Sequence, residues 1–254
     1  FNVCDYGAVA DDGLSDRKAF EDAIKDAVAQ SPRGAVIYVP AGRYELHAAS
    51  DPNTPVIIDG DNIVLRGAGR DRTVIAMSSA GHVLDGSLWN TPELMSFRYV
   101  RSRTDEQLRL TSITAPASSG SHDIEVASVS GLSVGQRVLV RLAGDTRRDA
   151  VAAEIAPHEV DGEFADLISE GVSVAEYHTV SRISGHRVTL YEPLGHDIDP
   201  DGGWTLHAVL DRYGCGVEDI CFEGAFTEDF VHHKDAVHDS GWRMLTFLRQ
   251  ADGW

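Results

Sequence analysis

The chain has 254 residues, 43% of them hydrophobic, which is enough for one large domain or two small ones. Its 40 acidic residues against 22 basic ones give a net charge of −18, which argues against nucleic acid as a partner because phosphate binding asks for a positive surface. There is no run of about 18 apolar residues, so no membrane span is expected, and the segment starting at Phe1 has neither the basic nor the apolar region of a secretory signal.

The opening stretch, FNVCDYGAVADDGLSDRKAFEDAI, reads as a short strand, an Asp/Gly turn and a helix. Ser15 is placed as N-cap with Asp16 in the first turn. Ala19, Phe20, Ala23, Ile24, Ala27 and Val28 recur at the helical period, and Pro32 and Gly34 stop the helix. Val36 to Val39 then form a β-branched and aromatic run ended by Pro40 and Gly42. Val56 to Ile58, Ile63 to Leu65, and Val74 with Ile75 follow, punctuated by Gly60, Gly67 and Gly69. Short strands separated by glycine turns, at roughly twenty residues per unit, predict a solenoid rather than a sandwich.

Asp5, Gly7 and Ala8, the acidic turn at Asp12 and Gly13, the helix positions Asp16, Ala19, Phe20, Ala23 and Ile24, and then Gly34, Val36, Tyr38, Val39, Pro40, Gly42 and Tyr44 form a recognisable sequence of motifs. In them the first third of the chain resembles the pectate-lyase-like right-handed parallel β-helix superfamily. The resemblance implies an all-β fold, a right-handed parallel β-helix with an N-terminal capping helix. It specifies architecture more than chemistry, because the same opening occurs on lyases, glycoside hydrolases, epimerases and phage tailspikes.

From Ala76 to Thr104 the coils are expected to continue, with His82 to Leu84 as one strand and Leu94, Met95, Phe97, Tyr99 and Val100 alternating with Ser96 and Arg98 as a half-exposed one. Trp89 to Pro92 reads as a loop. The texture changes near residue 105. Ile124 and Val126, then Val138, Val140 and Leu142, alternate around Ser130-Gly131 and Val134-Gly135, and Thr179 to Ile183 and Val188 to Tyr191 flank a Ser184-Gly185 hairpin turn. This resembles a small antiparallel β module inserted into β-helices of that superfamily. The expected organisation is thus cap and first rungs over 1–104, the inserted module over 105–208, and further rungs over 209–254. Residues 145–176 are a long acidic stretch that allows a short helix from Ala165 to Ser169 or a flap, and His158, Glu159, Asp161, Glu163 and Asp166 match no calcium-loop spacing.

In the last segment GVEDICFEG reads as one rung, with Val217, Ile220 and Phe222 inward and Glu218, Asp219 and Glu223 outward; Val231, Val237, Trp242, Met244 and Phe247 are the next apolar candidates. No polar terminal cap is visible after them. A chain that starts at Phe1 and has so few rungs is expected to be processed or trimmed, with the rest of the β-helix supplied by a longer chain or another subunit. Cys4, Cys215 and Cys221 are an odd set, read as buried thiols with a Cys215–Cys221 disulfide as the alternative.

Chemistry-bearing residues are densest at His232, His233, Lys234, Asp235, His238, Asp239, Trp242 and Arg243. Read as a strand, the segment puts His232 and Lys234 on one face and His233 and Asp235 on the other. An imidazole or the lysine can remove a proton next to a carboxylate, Arg243 can balance the enolate charge, and Trp242, Asp235 and Asp239 can hold a sugar. The catalytic candidates are therefore Lys234, His233, His232, His238 and Arg243. The alternative is that they are solvated positions of one rung beside a core Trp242. No zinc motif is present.

Together with the resemblance, this set implies a secreted or periplasmic carbohydrate-active enzyme, a polysaccharide lyase cleaving an acidic, uronic-acid-containing polysaccharide by β-elimination. A glycoside hydrolase would instead need a carboxylate pair, for which Asp219, Glu223, Glu228, Asp229, Asp235 and Asp239 are candidates, adjacent rungs being expected to bring Asp219 or Glu223 near Asp235 or Asp239. A non-catalytic, tailspike-like glycan-binding β-helix is the third reading. The net charge would repel a polyanion unless the cleft is locally basic or a cation such as Ca2+ bridges carboxylates.

Overall fold

The computed structural model describes residues 1–87, 89–101, 103–143, 158, 171 and 173–254. The chain divides into two compact units, one of residues 1–101 with 210–254 and one of residues 102–209.

The first unit opens with a 3-10 turn, Val3–Tyr6, and helix α1, Arg17–Gln30. Ala19, Phe20, Ala23, Ile24 and Ala27 are its buried face, as the apolar spacing predicts. The cap position is Asp16, one residue later than expected. The Asp16 carboxylate does not cap the helix; it accepts the Val9 N–H at 2.8 Å and the Glu45 N–H at 3.2 Å, tying the turn before the helix to the strands after it. Burial pushes that carboxyl up. Ser15 Oγ accepts the Arg17 N–H instead, at 3.3 Å.

Six short strands follow: β1 Ala35–Val39, β2 Gly42–Glu45, β3 Val56–Ile58, β4 Ile63–Gly67, β5 Thr73–Met77 and β6 Met95–Arg98. The second unit then supplies helix α2, Asp105–Leu108, and strands β7 Arg109–Ser112, β8 Asp123–Glu125, β9 Arg137–Leu142, β10 Val174–Ser184, β11 Arg187–Leu190 and β12 Thr205–Ala208. The chain returns through β13 Arg212–Tyr213, β14 Gly216–Glu218, β15 Cys221–Gly224, helix α3 Ala236–Asp239, β16 Leu245–Leu248 and β17 Gln250–Ala251.

In the first unit the strands stack in three parallel sheets, β1-β4-β14, β2-β5-β15 and β3-β6-β16. Strands β4 to β6 thus lie on the strands three before them and β14 to β16 lie on β4 to β6, while β13 and β17 form a further parallel pair. Ile37, Val39, Tyr44, Ile58, Leu65, Ile75, Met77, Met95 and Phe97 are inside, and α1 packs against this core. One corner is repeated in register. Gly34 (φ 112°), Asn62 (φ 56°) and Gly214 (φ 61°) are all left-handed, Ala35 N–H reaches Asn62 O at 3.1 Å, and Asn62 N–H reaches Tyr213 O at 2.6 Å. A Cβ on Gly34 would lie 2.5 Å from Asn62 Cβ, and one on Gly214 2.4 Å from Asn62 Oδ1, so only glycine fits on either side of the asparagine.

Some expectations fail here. His82 to Leu84 form no strand; a side-chain pair holds them in a loop, with Asn53 donating to His82 O and accepting from its N–H. Ser96 is buried rather than exposed, because Thr246 of the next strand meets its hydroxyl at 2.8 Å. GVEDICFEG is two strands, broken at Asp219 (φ 56°). Val231 is half exposed and Phe247 lies on the surface, stacked on Phe97 at 4.8 Å. The cysteines are all free; Cys215 is buried, which pushes its thiol up, while Cys4 is exposed and Cys221 partly so.

The second unit is a six-stranded antiparallel sheet in the order β7-β12-β9-β10-β11-β8. Its outer strands meet through an Ile113–Val126 bridge, with Ala127 N–H on Ser112 O at 3.0 Å and Thr114 N–H on Glu125 O at 2.9 Å. The sheet thus closes on itself, which removes the open edges of a flat sheet. Val138, Val140, Val180, Val188 and Leu206 fill the interior. The helix expected over 165–169, with Glu159, Asp161, Glu163 and Asp166, lies outside the described residues, and His158 is exposed.

Candidate functional site

Residues 232–235 are not a strand. His232 and His233 form a turn, Lys234 a bend, and Asp235 caps α3. Two local bonds enforce this: Asp235 Oδ1 accepts the His238 N–H at 3.0 Å, and Asp239 Oδ1 accepts the His233 N–H at 3.1 Å. Such side-chain bonds to the backbone compete with ladder pairing. His233 is consequently left-handed, at φ 62°.

The face assignment changes with it. His232 and His233 come together, with ring centres 3.8 Å apart, while Lys234 turns to His238. The His238 side chain is 1% exposed. Its Nδ1 lies 2.8 Å from Asp235 Oδ1 and its Nε2 3.2 Å from Lys234 Nζ. A carboxylate can only accept, so Nδ1 carries the proton and Nε2 offers its lone pair to the ammonium. The hydrogen bonds from the His238 ring and backbone hold the Asp235 carboxyl below the usual range. Glu228, exposed, completes the array at 3.0 Å from Lys234 Nζ and 3.4 Å from His238 Nε2.

Lys234, His238 and Asp235 are thus brought together, with Glu228, which sequence reasoning had considered only as one half of a hydrolase pair. His232 and His233 form a second group beside them. Asp239 does not face a ligand as expected: its side chain is 1% exposed, holding the His233 turn from inside, with His232 Nε2 at 3.9 Å. Asp239 Oδ2 is buried without a partner among the described residues. Trp242 is not an open stacking surface either. It packs against the core of the first unit and lies 6.3 Å from the Phe226 ring. Arg243 is exposed, and no described side chain bonds or pairs with it.

Of the carboxylates considered for a hydrolase, Glu228 and Asp235 lie against opposite nitrogens of His238, at 3.4 and 2.8 Å. Glu223 pairs with Arg43 at 2.8 Å and Asp219 turns a corner. Among the described residues no group of three His, Cys, Asp or Glu side chains is arranged to hold a metal.

The exposed aromatic residues of this region were missed. Trp89 is 51% exposed and Phe230 64%. The Trp89 ring meets that of His233 edge-on at 4.8 Å, and Phe230 lies 6.2 Å from His232. No local signal in the sequence points to this, because Trp89 and His233 are joined only by the fold. A separate recess of about 340 Å3 beside the end of α1 contains Asp59, Asp61, Arg101 and Arg212. Arg212 is held there by Asp59 at 2.6 Å and by Tyr99, whose ring centre is 4.8 Å away, so its charge serves the fold.

Residues 1–101 match the family model described as rhamnogalacturonase A/epimerase, pectate lyase-like. Mannuronan C5-epimerase AlgE4 of Azotobacter vinelandii is 39% identical over 87 residues, 34% of this chain and 14% of the epimerase. AlgE6 of the same organism is 39% identical over 77 residues, 30% of this chain and 9% of that protein. In fold, the tailspike gp61 of Pseudomonas phage phi297 matches 98% of this chain and 35% of its own, with a TM-score of 0.56 and 14% identity. The gp54 tailspike of Acinetobacter baumannii bacteriophage AP22, solved with a capsular saccharide, matches 99% of this chain and 36% of its own, with a TM-score of 0.55 and 11% identity. The chain therefore spans a small part of the epimerases and about a third of the tailspikes, and the latter likeness is one of all-β fold. Residues 1–101 are thus similar to the pectate-lyase-like family of rhamnogalacturonases and epimerases.

Proposed function

We propose that this protein acts on a uronic-acid-containing polysaccharide by drawing a proton from the carbon next to the sugar carboxylate. The scaffold in this reading is a right-handed parallel β-helix whose first coil is covered by α1, and the setting is extracellular, where such polymers are found. The observation that carries the proposal is the Asp235–His238–Lys234 array, with its 2.8 and 3.2 Å contacts around a buried imidazole.

A lysine acts as a base only as the free amine. Here Lys234 gives its proton to His238 Nε2, and Asp235 balances the resulting imidazolium. The neutral amine then takes the proton from C5, and Arg243 offsets the negative charge that spreads onto the carboxylate. If the C4–O bond then breaks, the reaction is β-elimination, the lyase outcome. If a proton returns to C5 from the other face, it is epimerisation, the activity named for the mannuronan relatives. Both outcomes share the first step.

Incubation with alginate, pectate and glycosaminoglycans separates them. New ultraviolet absorbance reports the C4–C5 double bond, and proton NMR reports inverted C5 centres without chain cleavage. Lys234→Ala is expected to lower either activity by about 10²–10⁴-fold with unchanged circular dichroism. Activity retained in that variant would remove the assignment. One observation favours a second reading, a protein that binds the glycan without altering it. Glu228 lies 3.0 Å from Lys234 Nζ, an ion pair that engages the proposed base. That reading predicts neither signal on any polymer.

A further inference from the structure

The exposed aromatic surface next to this array has no role in proton transfer. We infer that Trp89 and Phe230, with His232 and His233 between them, form a stacking platform for a pyranose ring of an acidic polysaccharide. The inference names a binding subsite and rests on the proposed substrate class, not on the proposed chemistry.

The surface is continuous. Ring centres step from Trp89 to His233 at 4.8 Å, from His233 to His232 at 3.8 Å, and from His232 to Phe230 at 6.2 Å. Both ends are more than half exposed, at 51% for Trp89 and 64% for Phe230. Large aromatic side chains left in water at one place mark an interaction surface. The loop that presents Trp89 is braced without help from the indole. Asp85 accepts the Ser87 N–H at 3.0 Å and the Asn90 side-chain amide at 2.8 Å, bonds that hold its carboxyl below the usual range. Leu84 N–H reaches Asn90 O at 2.9 Å, and Thr91 Oγ1 ties the base of the loop to Ser240 O, next to α3, at 2.6 Å. The ring is thus free to serve a ligand.

The chemistry beside the platform selects the ligand. A pyranose presents a face of C–H groups, which packs on aromatic rings, and a rim of hydroxyls that need donors and acceptors. Lys234 and Glu228 supply both, next to the two imidazoles. On a chain of net charge −18, the Lys234 ammonium and two imidazoles able to donate hydrogen bonds give this aromatic surface partners for a ring that carries a carboxylate. A nucleobase would also stack, but the phosphates attached to it would meet the overall negative charge.

Titration calorimetry with hexamers of mannuronate, guluronate and galacturonate, and with maltohexaose as a neutral control, tests this. At least one uronate hexamer is expected to bind more tightly than maltohexaose. Trp89→Ala and Phe230→Ala are each expected to weaken that binding about tenfold or more, Trp89→Phe to restore part of it, and circular dichroism to stay unchanged. Saturation-transfer NMR should show the ring C–H protons closest to the protein in the wild type and lose that pattern in Trp89→Ala. Wild-type affinity in both alanine variants, no binding of any uronate hexamer, or equal binding of the neutral one would overturn the platform. Uronate binding that depends on Trp89 in a protein with no turnover would leave the platform standing and remove the chemistry. Turnover that is lost in Lys234→Ala but keeps its KM in Trp89→Ala would do the reverse.

Discussion

His233 holds a conformation that L-residues avoid, at φ 62°, and the Asp239 carboxylate fixes it there through the backbone N–H. The left-handed region costs an ordinary residue roughly 1–2 kcal/mol, and asparagine tolerates it better. His233→Asn is therefore expected to leave the denaturant midpoint unchanged or to raise it, while removing the ring that joins Trp89 to His232. A clear loss of stability would show that the imidazole, not the turn, is what the fold requires. Asp235 has two duties at once, since one oxygen caps α3 and also orients His238. The strand expectation fails at this point because Asp235 is an N-cap residue, and a helix start ends the alternation of faces. Lys234 and His238 were legible as chemistry, but their pairing was not, because it depends on the turn that two carboxylates create.

At the scale of elements, the helix and the strands up to β5 were legible because each has an apolar spacing of a single period and a glycine or proline at its end. Burial along β6 was not, because the hydroxyl of Ser96 is satisfied by Thr246 from a strand formed far later in the chain. The corner after β4 shows how closely successive coils approach. A Cβ on Gly67 would lie 2.1 Å from the Asp219 carbonyl oxygen, a backbone atom that cannot step aside. Gly67→Ala is expected to destabilise the protein by about 1–3 kcal/mol or more, read from chemical denaturation. In the β10 strand of the second unit, burial pushes the Glu176 carboxyl up, but hydrogen bonds from the Gly195 N–H, His196 and His178 outweigh it and hold it below the usual range. A depressed carboxyl stabilises the fold fully above its unfolded value, about 4.3, and loses that contribution as pH falls through the lower folded value. Glu176→Gln should accordingly lower Tm at neutral pH, with the gap to wild type closing below about pH 4. A gap independent of pH would mean that the carboxylate's charge has no part in it.

For the whole molecule, a net charge of −18 sets the terms on which any polyanion approaches, so the Lys234 ammonium must act locally, within a screening length of about 8–10 Å at moderate salt. Each of the two units has its own apolar interior, and the sequence marked their difference through a change from glycine-punctuated runs to hairpins. The superposed corner at Gly34, Asn62 and Gly214 makes length a quantised property of the first unit. Dropping or adding one residue within β1 or β4 would turn every later side chain of that strand to the wrong side, and a Cβ in place of Gly34 would meet the asparagine. New sequence can then be accommodated only in the connections between strands, as with the whole barrel spliced in after β6. A deep library of single-codon deletions, sorted for folded protein, should come back empty at that corner and populated in those connections.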